Sequence, residues 1–404
     1  MYLQNFDDEH LSGYTNNMTY SPENNSLNVP TRLTLTDLES YIRTINTAEY
    51  ANQRNYIGGS TRLSEYISRG VISLPRVREL VLEKNSAGAS YKFINELAWR
   101  EYWHVVWTAL GDDIFEYIRP IKTTPRPDMP QAILNASTGI TALDDGIKQL
   151  QKTGYIDNHY RMWLAGLLCN VAKCDWKVGA AWMHSYLIDG DYASNHLSWQ
   201  WVAGSYTGKQ YLPQQDNINT YTKTTQKNTY LDQPYEIIAS MQIPEKLLET
   251  EAVLPKHDTT YPVSTITIES ISEANELLLY SPWTLDPLWR QESDELRVLL
   301  IDSNEFGNGQ FSQNVIDSIM WFASQILGLF VLFDTPDVLA SYHGKIVRKS
   351  YPGIAAWPGS VDAPERMYPE VPIAFYPSFS AYWKQVQKYS LTNQRSLFSP
   401  NDAE

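Results

Sequence analysis

The hydrophobic and polar positions of the first 250 residues follow a helical pattern. Apolar residues recur at three- and four-residue spacings, as in TLTDLESYIRTI, where Leu38, Ile42 and Ile45 fall on one side. No convincing alternation of the kind expected for a strand interrupts this pattern. Residues 1–250 are therefore predicted to form an all-helical domain, which begins with a polar, extended arm over 1–30.

The pattern changes from about residue 255. Short apolar runs at 297–302 and 329–334 both end in Asp, and the segment between them, SQNVIDSIMWFASQIL, has helical spacing. A strand, a crossover helix and a second strand predict a right-handed parallel βαβ unit. The runs STITIES (264–270) and VPIAFY (371–376) are predicted as further strands. Residues 255–404 are therefore predicted to form a small α/β domain.

Polar side chains end the two predicted parallel strands. Asp302, Ser303 and Asn304 follow the first strand, and Asp334 ends the second. Open parallel sheets bind ligands at their carboxyl edge, so these groups mark a candidate site. The nearby glycines of EFGNGQF lack the spacing of a dinucleotide-binding loop, and the sequence does not favour a nucleotide here.

The composition adds the broad class. The chain has 404 residues, 43% hydrophobic and 13% aromatic, which excludes a disordered protein and makes two domains the default expectation. No stretch approaches the roughly 18 apolar residues of a membrane helix, and the start MYLQNFDDEH lacks the features of an export signal. Cys169 and Cys174 are predicted to be reduced core residues, and no metal site is predicted. We therefore expect a cytoplasmic protein.

The net charge of −14 argues against a general nucleic-acid binder, because phosphate contacts need many Lys and Arg side chains. The acidity is uneven. Residues 1–250 hold 22 of the 32 basic and 27 of the 46 acidic side chains, a net of −5, whereas residues 251–404 carry a net of −9. The first part of the chain can therefore still present a basic face locally.

A glycine-led loop precedes one of the predicted helices. Two glycines are followed by three hydroxyl side chains and a guanidinium, namely Gly58, Gly59, Ser60, Thr61, Arg62 and Ser64. Backbone amides at a helix start, together with these groups, suit a phosphate. The same residues also suit an ordinary capped helix start, and position alone does not decide between the two.

Two helices carry polar and aromatic side chains on one face or at one end. Glu96, Trp99 and Arg100 share a face of the helix over 92–110, which suits either a salt-bridged surface or a pocket wall. A later helix follows Gly154 and places Asn158, His159, Arg161 and Met162 in its first turns. Polar residues at a helix start suit capping, and they equally suit a ligand.

The segment WMHSYLIDGDYASNHLSWQWVAGSYTG (182–208) combines acids, an amide and indoles. A helix breaks at Asp189 and Asp191, and a second helix then brings Asn195, Trp199 and Trp201. This combination predicts the wall of a cofactor pocket.

These motifs, in their order, resemble the flavin-binding domain of the photolyase/cryptochrome family. The resemblance covers about residues 48–221 and rests on YANQRNYIGGSTRLSEYISRGVIS, INELAWREYW, TGITALDDGIKQL, TGYIDNHYRM and DWKVGAAWMHSYLIDGDYASNHLSWQWVAG. It implies an all-helical fold that binds FAD. Most family members place an α/β antenna domain before this domain, whereas here only about 47 residues precede it. The α/β unit after residue 255 is either a relocated equivalent or an independent acquisition.

The resemblance also implies the residues that contact FAD. The pyrophosphate would be held by Tyr50, Ser60, Thr61, Arg62, Leu63 and Ser64. The flavin and its polar groups would be contacted by Trp99, Arg100, Arg161, Asp189, Asp191 and Asn195. Asn195 matches the residue that faces flavin N5, where an amide can hydrogen-bond either redox state.

A substrate face and an electron path follow in the same way. Contacts to a cyclobutane pyrimidine dimer would come from Glu96, Trp99, Asn158, Met162 and Trp201. Trp199 and Trp176 match the proximal and middle tryptophans of the family's electron-transfer chain, although both also suit plain core packing. The distal tryptophan expected near Thr123 or Thr124 is absent, so photoreduction either takes another exit, such as Trp182 or a tyrosine, or is poor.

Two departures affect the substrate face. His159 stands where the family often has a lesion-contacting arginine, and His196, Leu197 and Ser198 replace the usual Asn-Gly-Gly. The implied function is a DNA photolyase that splits pyrimidine dimers. The implied catalytic residues are Glu96, Asn158, Asn195, Trp176 and Trp199. The alternatives are a cryptochrome-like photoreceptor that signals through a protein partner, and a flavin-binding relic with an interaction role.

Overall fold

The computed structural model describes residues 32–121, 124–252, 254 and 256–392, with side chains up to residue 389. The arm predicted over 1–30 lies outside these residues. The helices are, in chain order, Leu35–Thr44 (α1), Thr47–Gln53 (α2), Ser64–Ser68 (α3), Leu74–Leu82 (α4), Ala87–Leu110 (α5), Gln131–Leu134 (α6), Thr141–Thr153 (α7), Asn158–Gly166 (α8), Trp176–Tyr186 (α9), Tyr192–Ala203 (α10), Gln215–Thr222 (α11), Tyr235–Ser240 (α12), Ile268–Ser272 (α13), Ser303–Phe306 (α14), Gln313–Ala323 (α15) and Phe379–Thr392 (α16).

The helical prediction is confirmed for the described residues between 32 and 250. In α1, Thr34 caps the amide of Asp37, while Leu38 and Ile42 are fully buried. The only strand pairing found in the described part of this region is short and antiparallel, between Met129–Pro130 (β1) and Thr250–Glu251 (β2). The long helix α5 buries side chains around much of its circumference, so it lies inside the helical part rather than on its surface.

A parallel sheet follows in the second part of the chain. Its strands are Glu276–Tyr280 (β3), Leu296–Asp302 (β4), Leu329–Asp334 (β5), Lys345–Lys349 (β6) and Ser360–Asp362 (β7). They lie in the order β5-β4-β3-β6-β7, and every pairing is parallel. The predicted βαβ unit is confirmed, since β4 and β5 pair in parallel and α15 connects them.

The strand predicted over 264–270 is wrong. Thr265 forms two hydrogen bonds with Val331 of the edge strand β5, both at 2.8 Å. The amide of Thr265 donates to the carbonyl of Val331, whereas the amide of Val331 donates to the side-chain oxygen Oγ1 of Thr265. The Ser264 hydroxyl accepts from the amide of Phe333 at 3.0 Å. Thr267 then caps α13. Hydroxyl side chains therefore cover the sheet edge in place of a backbone ladder.

The strand predicted over 371–376 is also wrong. This segment has no regular structure, and the carbonyl of Tyr376 instead accepts hydrogen bonds from the hydroxyls of Tyr102 and Tyr206 at 2.9 and 2.7 Å. This backbone carbonyl is therefore paired with side chains of the helical part and not with a neighbouring strand. Of its apolar side chains, Val371 is buried, whereas Ile373 and Phe375 are exposed.

The sequence pattern misses the central strand β3. Its residues ELLLY are buried on both faces except at the first position, so they do not alternate and are too few to stand out. Two of the predicted ligand groups at the carboxyl edge bond to nearby backbone amides. Asp302 caps α14 by accepting from the amide of Asn304 at 2.9 Å, and Asp334 accepts from the amide of Thr335 at 2.7 Å.

One hydrophobic core joins the helical part to the sheet. It contains Leu38 of α1, Val106 of α5, Leu279 of β3 and Tyr382 of α16, all fully buried. A second core lies among the helices between residues 129 and 247 and holds both free cysteines. The division at residues 250–255 stays a prediction, although apolar contacts cross it. Within the described ranges, no helix has the length and apolar character that crossing a membrane would require.

Candidate functional site

A cavity of about 510 Å³ opens within the helical part. It collects residues from widely separated parts of the sequence. The predicted site residues that line it are Tyr50, Thr61, Leu63, Ser64, Glu96, Trp99, Arg100, Asn158, Arg161, Met162, Asp189, Asp191, Asn195, Trp199 and Trp201. The three predicted site residues that do not line it are Ser60, Arg62 and Trp176. The structure therefore brings most of the predicted set to one place.

The turn between α9 and α10 delivers two buried acids to this cavity. Asp191 caps α10 by accepting from the amide of Ser194 at 2.9 Å. At Gly190, a Cβ atom would stand 2.9 Å from the carbonyl oxygen of Leu187 and 3.1 Å from the ring of His184. The glycine therefore allows the tight turn that places Asp189 and Asp191 on either side of it.

The Asp191 carboxylate is fully engaged. Arg100 approaches one oxygen at 3.2 Å, and His104 Nε2 lies 2.9 Å from the other, which also accepts from Tyr351 at 3.3 Å. Burial alone would raise the pKa of Asp191, but Arg100 and His104 overcome this effect and hold that pKa well below its ordinary value. The carboxylate is therefore ionised and positions Arg100 at the cavity wall.

Asp189 forms a second buried ion pair. Arg161 Nη2 donates to its two oxygens at 3.0 and 2.8 Å, and Arg161 Nε donates to the carbonyl of Ile156 at 2.9 Å. Burial opposes the charge on Arg161, yet Asp189 raises its pKa above the ordinary value. The pair fixes the guanidinium in two directions, so a ligand in the cavity meets a preorganised donor.

Asn195 lies on α10 and is buried. Its Nδ2 donates to the carbonyl of Ala180 at 2.9 Å. Because Nδ2 carries two hydrogens, both the amide oxygen and the second N–H can meet a ligand.

Some residues of the glycine-led loop line the cavity, and others contact Tyr155. Thr61, Leu63 and Ser64 line the cavity, whereas Ser60 Oγ lies 2.8 Å from the hydroxyl of Tyr155. Arg62, with a φ of 58°, places its guanidinium 3.5 Å from the centre of the same tyrosine ring. Ser60 and Arg62 thus support the loop on Tyr155, and their predicted contact with a phosphate stays a prediction.

Glu96 and Trp99 form the part of the wall predicted to face a substrate. Arg54 pairs with Glu96 at 2.6 Å, while burial raises the pKa of the Glu96 carboxyl against the opposing charge of Arg54. The ring of Trp99 stacks on Phe379 with a centroid distance of 4.2 Å and an angle of 10°. Sequence reasoning missed Phe379, because no local signal connects residues 280 positions apart.

Two predicted redox tryptophans pack on the same face of α9. A Cβ atom at Gly179 would stand 2.4 Å from the ring of Trp199, so this indole lies directly on the helix. Trp176 is one turn earlier, at i−3, and is buried. Trp199 lines the cavity, whereas Trp176 does not.

A tyrosine that does not line the cavity contacts Trp176. The ring of Tyr117 meets Trp176 edge-on at 5.9 Å, and its hydroxyl donates to Asp175 Oδ1 at 2.8 Å. Tyr117 is half-buried. Of the positions where the distal tryptophan was expected, Thr123 lies outside the described residues and Thr124 is exposed. Tyr117 therefore gives the tyrosine alternative a specific residue.

Comparison with known families and proteins identifies the kind of domain. Residues 93–257 match the family described as FAD binding domain of DNA photolyase. Relatives include the deoxyribodipyrimidine photo-lyase of Streptomyces griseus, 32% identical over 164 residues (40% of this chain, 36% of the relative), and the cryptochrome DASH of Idiomarina loihiensis, 31% identical over 186 residues (43% and 41%). The chain thus spans about two fifths of the length of these relatives.

Solved structures with a similar region include a cryptochrome from Synechocystis sp. PCC6803, with 23% identity, a TM-score of 0.39 and coverage of 44% of this chain and 41% of that chain. An archaeal photolyase from Sulfolobus tokodaii has 22% identity, a TM-score of 0.36 and coverage of 52% and 51%.

The cavity residues fit FAD, the cofactor of this domain. The walls combine aromatic and aliphatic surface for a flat ring system with two arginines held by buried carboxylates. The hydroxyl of Ser194, a cavity residue, is buried and has no hydrogen-bond partner among the described residues. A polar ligand would satisfy it. Tyr50, Thr61, Leu63 and Ser64 lie before the matched segment, so the pocket extends beyond it.

Proposed function

From a chain that carries the FAD-binding domain of the photolyase/cryptochrome family, we propose a light-dependent flavoprotein that splits cyclobutane pyrimidine dimers in DNA. One observation carries the proposal. A single cavity is lined both by the buried pairs of Asp189 and Asp191 and by Glu96, Trp99 and Trp201. A cofactor face and a substrate face in one cavity are what an electron transfer between the two requires.

The substrate face suits a nucleotide turned out of the helix. Such a nucleotide needs apolar walls for its ring faces and polar groups for its base edges. Trp99 and Trp201 supply the walls, and the stack of Trp99 on Phe379 keeps one wall rigid. Glu96 and Asn158 supply the polar groups. Burial raises the pKa of the Glu96 carboxyl, while the charge of Arg54, 2.6 Å away, opposes that shift.

FAD, when bound, supplies the electron that opens the cyclobutane ring. The chain's own residues do the rest of the work that we propose. Arg100 and Arg161 hold polar groups of the cofactor, and Asn195 offers an amide, which has no acidic proton to give, near its reactive edge. Trp199 and Trp176 provide aromatic side chains between the cavity and Tyr117.

The test is illumination of the purified, reduced protein with thymine-dimer DNA, both single-stranded and duplex. We expect a bound flavin spectrum and light-dependent loss of dimers. Protein that lacks flavin absorbance and takes up no added FAD would overturn every light-dependent reading. Bound flavin without dimer loss on either DNA would overturn repair and favour the photoreceptor, for which the net charge of −14 is the supporting observation.

A further inference from the structure

Next to the cavity residues Asn158 and Met162 of α8 lies an aromatic cluster, which we call the rim cluster: Tyr56, His159, Trp163 and Tyr221. We propose that the rim cluster is a stacking surface for unpaired bases that flank the flipped nucleotide, so that the preferred partner is single-stranded DNA. The proposal rests on the proposed function and adds the strand preference of the same site.

The rings of the rim cluster form a continuous series. Tyr56 meets Tyr221 edge-on with centroids 5.4 Å apart, Tyr221 lies over His159 at 4.7 Å and 30°, and His159 meets Trp163 at 5.4 Å. Three separate parts of the chain supply these rings: the loop after α2, the helix α8, and the end of α11. The indole of Trp163 is fully buried and anchors the series.

Hydrogen bonds hold these three segments in register. The amide of Ile57 donates to the carbonyl of Tyr221 at 3.1 Å, and the amide of Gly58 donates to Asp157 Oδ2 at 2.9 Å. Trp163 Nε1 donates to Asn217 Oδ1 at 2.9 Å. The rings are therefore held in place before any ligand binds, which lowers the entropy cost of stacking on them.

The rim cluster is continuous with the cavity. Asn158 and Met162 line the cavity and are chain neighbours of His159 and Trp163 on α8. Arg54, two residues before Tyr56, also lines it. A strand whose nucleotide enters the cavity beside Asn158 and Met162 can therefore continue toward the rim cluster.

Exposure distinguishes this cluster from ordinary core packing. Tyr56 is 37% exposed, and both His159 and Tyr221 are partly exposed. A core aromatic would be covered, whereas partly exposed aromatic rings beside a cavity are typical of a binding surface. The competing explanation is that the rings only fasten the loop around Tyr56 to α8 and α11.

The charges favour stacking over phosphate recognition. Burial first, and then the charge of Arg54, lowers the pKa of His159, so its imidazole is neutral near pH 7 and presents a ring rather than a cation. Lys223 Nζ lies 5.7 Å from the ring centre of Tyr56 and supplies a cation beside it. The chain as a whole carries −14, which disfavours the many phosphate contacts that duplex binding uses. Base stacking on aromatic rings needs no such charge.

The experiment measures binding of labelled thymine-dimer oligonucleotides to the FAD-loaded full chain by fluorescence anisotropy. We expect tighter binding of single-stranded than of duplex DNA. Tyr56→Ala should weaken single-strand binding by roughly five- to 150-fold, the range for loss of one stacked base, and leave duplex binding nearly unchanged. Tyr56→Phe keeps the ring and should bind like the parent protein. Tyr91→Ala, another exposed tyrosine, on α5, is the matched control.

The outcomes separate this proposal from the proposed function. Equal binding of both DNA forms by the parent protein, or an unchanged single-strand affinity in Tyr56→Ala, overturns the stacking surface. A Tyr56→Ala protein that loses flavin or unfolds at a lower temperature indicates a purely structural role of Tyr56. In that case, the single-strand affinity of His159→Ala decides whether the rim cluster binds DNA: an unchanged affinity overturns the stacking surface. A third outcome supports the stacking surface and overturns only the repair function. Here undamaged oligothymidine binds the parent protein and loses affinity in Tyr56→Ala, while illuminated thymine-dimer DNA is not split.

Discussion

At the scale of single residues, Glu96 tests the substrate face. Glu96→Ala removes a carboxyl that lines the cavity and pairs with Arg54. We expect the rate of dimer splitting at low substrate concentration to fall roughly tenfold or more, as for loss of one hydrogen bond from a charged or acidic group. FAD content, read from flavin absorbance, should be unchanged. Loss of flavin together with repair would place Glu96 on the cofactor instead.

Asp189 tests the cofactor face. Asp189→Ala leaves Arg161 without its carboxylate in a wall where Asp189 is almost fully buried. We expect the free energy of unfolding to fall by roughly 3 kcal/mol, the low end for a broken buried pair, because a quarter of the Arg161 side chain stays exposed. Flavin should also dissociate more readily, as measured by absorbance after gel filtration.

The matched control for Asp189 is Asp145→Ala. Asp145 pairs with Lys148 at 3.8 Å, and both side chains are 63% exposed. Exposed pairs contribute little, so this variant should change unfolding by no more than about 0.5 kcal/mol. Equal effects of the two substitutions would contradict the role given to the Asp189 pair.

Most of the residues that line the cavity could be predicted from the sequence, whereas the residues that pack against them and hold them in place could not. The order of motifs identified Glu96, Arg161 and the two acids after α9. The partners Tyr351 and Phe379 come from the far end of the chain, 160 and 280 residues away from Asp191 and Trp99. Contacts of this kind depend on the tertiary fold, and no local pattern reports them.

At the scale of elements, α9 tests the aromatic path. Trp176→Phe keeps the packing volume close but replaces the indole with a ring that is much harder to oxidise. We expect slower photoreduction of bound, oxidised FAD in the presence of an external reductant, with flavin content unchanged. The matched control is Trp107→Phe, a buried indole on α5 that does not line the cavity. Equal photoreduction rates for Trp176→Phe and the parent protein would show that Trp176 only packs in the core and is not part of the electron path.

The contact between α10 and α14 predicts a pH dependence. Tyr192 donates to Glu305, and burial raises the pKa of Glu305 to about 7. The folded carboxyl thus keeps its proton up to about pH 7, whereas the unfolded one loses it near pH 4.3. Because the native state binds more protons in this window, Glu305 lowers the stability as pH rises from about 4 to 7.

Glu305→Gln should therefore stabilise the protein at pH 8 relative to the parent, by up to about 3 kcal/mol, and change little at pH 4. Glutamine keeps an acceptor for Tyr192 without the buried charge. Denaturant unfolding at the two pH values measures the difference. Glu292→Gln, on an exposed loop, is the control. A gain of the same size at both pH values would contradict the pKa of Glu305.

The elements show where sequence patterns succeed and where they fail. Helices such as α1 were predictable because capping and apolar spacing are local properties. β3 was missed because a strand buried on both faces has no alternation. The alternation over 264–270 was misleading because Ser264 and Thr265 bond to the sheet edge through their hydroxyls. The alternating pattern favoured a strand over 264–270, but these side-chain contacts to the sheet edge determine the structure of the segment.

At the scale of the whole molecule, the helical part packs against the carboxyl edge of the sheet. The chain order reverses between β3 and β6, and open sheets bind ligands outside the carboxyl ends of strands at such a point. Trp283 follows β3, Tyr351 follows β6, and their rings stack at 5.1 Å and 4°. The hydroxyl of Tyr351 then reaches Asp191 of the cavity. Protein side chains thus take the place of a ligand there, and the sheet supports the cofactor face.

This arrangement predicts that the helical part and the sheet unfold together. Their shared core includes fully buried residues from α1 and β3, and Leu285 after β3 donates its amide to the carbonyl of Arg69 beside α3 at 2.8 Å. We expect one denaturant transition, with the same midpoint from circular dichroism and from hydrogen exchange of the β3 amides. Tyr351→Ala should lower both midpoints equally. Two transitions, with only the sheet affected by Tyr351→Ala, would instead support the division near residues 250–255 as a boundary between independent domains.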